Sequence, residues 1–198
     1  MNRICTNRVG TIVLFCLLTL AFVPLTAKGE DVSISVEFYP NNVVTGAPVS
    51  VTLKGKIYTG SSWFDELAKI PGAFSPDEIF ITNYVAANAN GTASDIISSW
   101  EPDEKESISV KVSDSQMFTK NQTYFKRLTG SAFLARILYG EFSIFLVQHV
   151  AGQDNTDIHA YPVRMVAGKY YMTNKLSSDP VFLYIVQKYK NTLSLKTR

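Results

Sequence analysis

Residues 132–173 constrain the fold most strongly. Two apolar-rich runs, 132–139 and 142–150, are separated only by Gly140 and Glu141. That spacing predicts a two-residue hairpin with glycine at the first central position. In the second run Phe142, Ile144, Leu146, Gln148 and Val150 share one face, and Ser143, Phe145, Val147 and His149 share the other, because strand side chains alternate. Both faces are largely apolar, so this strand is expected to be central and covered on both sides. A polar loop, 151–158, leads to strands over 161–166 and 169–173, joined by a turn at Ala167 and Gly168. The result is a meander with short connections. Pro162 lacks a backbone donor and is expected at the outward side of a strand start.

The N-terminal segment reads as a targeting signal. Arg3 and Arg8 precede an apolar stretch, 9–23, and Pro24, Leu25, Thr26 and Ala27 follow. The pattern predicts a secretory signal over residues 1–27, cleaved near Ala27. The apolar run is short for a membrane span, so an anchored form is the less favoured alternative. Cys5 and Cys16 both lie within the signal. The exported chain is then expected to rely on its hydrophobic core, without disulfides or thiol chemistry. Cleavage removes two arginines and no acid from a net charge of +2. The remainder is near neutral with its charges interspersed, which argues against nucleic acid as a partner.

Residues 32–40 and 49–58 alternate as two strands of an N-terminal hairpin, with a turn cluster at 41–46 and a register change near Gly55. Such a hairpin is marginal alone and must join or lean on the later sheet. Ser75, Pro76, Asp77 and Glu78 form a helix start with a capping box, predicting a helix to about Ala87. A short helix over 93–100, a short strand over 107–112 and a helix over 115–128 are expected next. Ser177, Ser178, Asp179 and Pro180 start a last helix, although its β-prone residues leave a fifth strand open.

No phosphate-binding glycine motif occurs, and no cofactor is expected. Asp154, Asn155 and Asp157 lack the spacing of a calcium loop and read as a turn. If 148–150 pairs with 158–160, His149 and His159 come together. A third ligand at clear spacing is missing, so neither a metal site nor a catalytic set is assigned. Aromatic residues are the stronger lead. Trp100, Phe133, Tyr139, Phe145, Tyr161 and Tyr170, with His149 and His159, are the candidate lining of a ligand pocket between sheet and helices; the competing reading is that they form the core. Glu141, Arg136 and Arg164 are candidate rim charges. Asn90, Gly91, Thr92 and Asn121, Gln122, Thr123 match the glycosylation acceptor pattern, relevant in a eukaryotic host.

The run GKYYMTNKLSSDPVFLY at 168–184, preceded by YPVRMV at 161–166, resembles the closing strand–turn–strand of NTF2-like (SnoaL-like) domains over roughly residues 75–189. The resemblance implies an α+β fold, a curved antiparallel sheet packed by helices into an NTF2-like or cystatin-like cone around a pocket. The N-terminal hairpin precedes it, giving a signal at 1–27, a hairpin extension at 28–60 and an α+β domain at 61–198. The motif carries no catalytic pair to transfer. The expected function is an exported module of the bacterial envelope, periplasmic or secreted, binding a small apolar ligand or an envelope protein, with a homodimer as one arrangement. The alternatives are a cone-pocket enzyme using His149, His159 or Glu141, and a structural interaction domain offering the hairpin edge for strand addition.

Overall fold

The computed structural model describes residues 29–38, 47–59, 61–152 and 155–193. The signal segment with Cys5 and Cys16, the turn at 41–46 and Asp154 lie outside the described residues. Six strands, β1 (Gly29–Phe38), β2 (Val49–Tyr58), β3 (Gly130–Tyr139), β4 (Phe142–Ala151), β5 (Asn155–Val166) and β6 (Lys169–Met172), form one antiparallel sheet in sequence order. Among the described residues six helices accompany it: α1 (Phe64–Leu67), α2 (Pro76–Asn90), α3 (Ala93–Ser98), α4 (Lys105–Ser113), α5 (Ser115–Lys126) and α6 (Pro180–Thr192). Among the described residues no helix is long and apolar enough to cross a membrane.

The α+β arrangement holds, but the expected cone does not. The sheet is open and uncurled, with β1 and β6 at its two edges. Bending a sheet into a cone takes bulges at several corners; among the described ladders of β3 and β4 the register shifts at one place, between Phe133 and Ala135. Both faces are also packed. Phe133, Phe145, Val147, Tyr161 and Val163 meet Leu67, Ile81, Tyr84, Val85 and Phe125 of α1, α2 and α5. On the opposite face Ile34, Val36, Leu53, Ile137, Ile144, Leu146 and Ile158 meet Val181 and Ile185 of α6. Each such side chain contributes roughly 1.5–3 kcal/mol when fully buried, which favours a flat sheet between two layers over a cone around a void. The NTF2-like resemblance is therefore set aside.

The central hairpin forms as its spacing requires. Gly140 adopts φ +58°, and β4 is buried on both faces with the expected alternation. The bulge at Leu134 carries no sequence signal, yet it sets the layout of β3. It sends Leu134, Ala135 and Ile137 toward α6 while Phe133 and Arg136 share the face of β4 Phe145.

Three local expectations are corrected. Residues 107–112 are helical within α4, because a lone strand there would leave its backbone unpaired whereas a helix satisfies its own; Ile108 is buried while Val110 is 71 % exposed. The loop after β4 is shorter than expected, since β5 already begins at Asn155. Pro162 lies inside β5, not at its start. The Thr173 amide donates to its carbonyl at 3.2 Å just beyond the end of β6, so the missing donor falls where that ladder stops. The final segment resolves to helix α6, whose first amides, Val181 and Phe182, donate to the Asp179 carboxylate. The N-terminal hairpin is part of the sheet, with Lys54, Gly55, Lys56 and Ile57 paired to β3.

Candidate functional site

The histidines do come together, but diagonally: the register is offset by two residues from the expected pairing of 148–150 with 158–160. Gln148 stands opposite Ile158, and His149 opposite Asp157, which brings the two imidazole centroids to 5.0 Å. His149 is 1 % exposed. Its Nδ1 lies 2.7 Å from Ser131 Oγ and its Nε2 2.6 Å from the Tyr161 hydroxyl. Burial, reinforced by His159 and opposed by Asp157, lowers its pKa from 6.5 to about 3. The ring is therefore neutral at ordinary pH, one nitrogen donating and the other accepting. With both nitrogens engaged, neither points into open space. His159 Nε2 contacts the Tyr124 hydroxyl and Asp157 Oδ2, each at 3.0 Å, and its ring stacks between Tyr124 and Tyr161. Among the described residues no group of three or more histidines, cysteines or carboxylates is placed to hold a metal ion.

Glu141 does not join this cluster. It occupies the β3–β4 turn, at the other end of β4 from His149, and pairs with Arg164 at 2.8 Å. Arg164 also reaches Glu101 at 3.1 Å, and Lys175 reaches the same carboxylate at 2.5 Å. Glu101 is 2 % exposed. Together with the Glu101 amide donating to the Met172 carbonyl, these contacts pin the α3–α4 connection to the end of β6.

The candidate lining residues separate. Phe133 and Phe145 are wholly buried, with ring centroids 5.6 Å apart, and Phe133 is also packed by Tyr58, Phe64 and Phe74. Tyr170 lies against Phe80. Tyr139 belongs to the opposite face, where its hydroxyl donates to Asp179 at 3.1 Å. Trp100 and Tyr161 share an open hollow of about 300 Å³ beside Tyr84, Pro162 and Met172.

A second polar set is buried where α2 meets the sheet. The Tyr58 hydroxyl donates to Glu78, whose other oxygen accepts from the Ser75 amide at 2.7 Å. Burial and the neighbouring Glu78 raise the Tyr58 pKa, so the phenol stays protonated. Asp77 pairs with Arg136 at 2.5 Å, and the Arg136 guanidinium lies over the Phe145 ring at 5.6 Å. Sequence reasoning treated Asp77 and Glu78 only as a helix start. Their lack of exposure, 1 % and 3 %, depends on partners contributed by β2 and β3.

A larger concavity adjoins this second set through Arg136. On the α2-side face of the hairpin, Asp31, Ser33, Lys54, Lys56, Arg136 and Leu138 line an open trough of about 460 Å³. Lys54 and Lys56 escaped notice in the sequence because lysines on an alternating strand read as an ordinary solvated face. No family model matches the chain, and neither the curated proteins nor the solved structures contain a match.

Proposed function

We propose that this chain is a non-catalytic binding module of the bacterial envelope, exported after cleavage near Ala27, and that it binds through the hairpin end of its sheet. The carrying observation is where space is found. Phe133 and Phe145, expected to line an interior pocket, are packed into the core, while a space roomier than the hollow at Trp100 and Tyr161 lies on the α2-side face of β1, β2 and β3. The outer edge of β1 adds to this, since among the described residues no strand pairs with it. An unpaired edge of ten residues suits strand addition by a partner protein.

An enzymatic reading has less support. His149 is enclosed and its base strength is depressed, and Glu141 lies too far along the sheet to act with it. Native mass spectrometry of the protein isolated from an exporting bacterium tests the proposal. The expected spectrum shows a chain beginning after Ala27 and carrying a retained ligand, a partner or a second copy. A bare monomer beginning at Met1 contradicts both export processing and binding.

A further inference from the structure

The trough has a chemistry that narrows its ligand. Its floor consists of two cross-strand rows: Asp31 opposite Lys56 opposite Arg136, and Ser33 opposite Lys54 opposite Leu138. Directly opposed side chains in such rows start roughly 4.5–5.5 Å apart, so the three cationic side chains arise from one small area. Arg136 is held from behind by Asp77 at 2.5 Å and by Ser143 at 3.4 Å. Counting Asp31 in the trough and Asp77 behind it, the cations exceed the carboxylates by a single charge. That balance suits a monoanion better than a dianion.

Beside Ser33 and Gly55, the uncharged lining offers hydrocarbon at Val32 and Leu138. Leu138 is 43 % exposed. The Lys56 stem lies flat across Gly29, where any Cβ would come within 2.2 Å of Lys56 Cε, and its ammonium sits 4.7 Å from the Tyr58 ring centre. Lysine stems laid along a surface offer apolar contact while their heads stay polar. A volume of about 460 Å³ falls within the range of small-molecule sites, roughly 300–1,000 Å³.

We propose that the trough binds a singly charged amphiphile, its acidic head among Lys54, Lys56 and Arg136 and its alkyl body along Leu138 and the lysine stems. This rests on the binding-module reading and names its ligand class. The occupant is a free amphiphile, whose chain can lie in the trough; an anionic bilayer surface, which keeps its own chains, is the alternative that the test separates. The test titrates the purified protein with decanoate below its micelle-forming concentration and, in parallel, with phosphatidylglycerol and phosphatidylcholine vesicles.

Lys54→Glu is the informative variant, because its exposed side chain can change without disturbing the core; circular dichroism checks the fold. Lys111→Glu, on the exposed face of α4, is the control. Decanoate binding that Lys54→Glu weakens by about tenfold and Lys111→Glu leaves intact supports a free amphiphile. Binding to phosphatidylglycerol vesicles alone, even with the same dependence on Lys54, overturns the proposal in favour of a charged surface contact. Absence of binding to either probe, or binding that Lys54→Glu does not weaken, overturns it. A partner retained in native mass spectrometry would survive that failure, so the broader reading stands or falls separately.

Discussion

The hydroxyl of Tyr58, at the end of β2, donates to the carboxylate of Glu78 in the first turn of α2. This contact joins the N-terminal hairpin to the helical layer through a buried acid. Glu78 uses its other oxygen on the Ser75 amide, so one side chain both caps α2 and fixes it against the sheet. Tyr58→Phe keeps the ring and removes one donor from a buried carboxylate. A loss of about 1–3 kcal/mol is expected, measured as a lower denaturant midpoint with unchanged slope.

Arg136 and Asp77 form the neighbouring pair, and they should be coupled. Arg136→Met leaves the enclosed Asp77 carboxylate without its cation, and the expected cost is about 2–4 kcal/mol, below the fully buried case because the guanidinium is partly exposed. Adding Asp77→Asn should recover part of that loss. A double-mutant cycle checks this; strictly additive effects would show that the two side chains act independently.

His149 gives the fold a pH dependence of known sign. Its folded pKa is lowered to about 3 from 6.5, so the unfolded chain binds the proton more readily. Its stabilising effect is complete above pH 6.5 and is lost as pH falls toward 3, at up to about 1.4 kcal/mol per pH unit. The groups facing the ring are Ser131 from β3, Asp157, His159 and Tyr161 from β5, and Tyr124 and Phe125 from α5. Other acids also titrate in this range, so the informative quantity is a difference. Urea midpoints of the wild type should fall more steeply than those of His149→Gln between pH 6.5 and 4.

The β5–β6 turn offers a stabilising change. Ala167 and Gly168 both adopt positive φ, +50° and +79°, the geometry of a type I′ turn, which favours asparagine followed by glycine. A side chain in that region costs about 1–2 kcal/mol, less for asparagine. Ala167→Asn should therefore raise stability by about 0.5–1 kcal/mol, visible as a higher melting temperature.

The strands were legible where local chemistry agreed with the final packing. Gly140 had to be a turn, β4 had apolar residues on both faces, and Asp179 with Pro180 started a helix. Legibility failed where the decisive partner was distant in sequence. Residues 107–112 alternate like a strand, but nothing pairs with them, and tertiary context overrides propensity. The flatness of the sheet depends on α6 covering the second face, which no turn motif encodes. The histidine contact was legible although the register is two residues from the expected one, because an even offset keeps both rings on one face, whereas the trough required the bulge at Leu134 to turn Arg136 toward Lys56.

Amide hydrogen exchange on the protein as isolated, compared with the same protein unfolded, stripped of any ligand and refolded, probes the location of binding most directly. Faster exchange after stripping should concentrate in Gly29–Phe38 and Val49–Tyr58, the two strands of the hairpin. A change centred instead on His149 and Tyr161, or on the hollow beside Trp100, with the hairpin unaltered, would contradict the assignment.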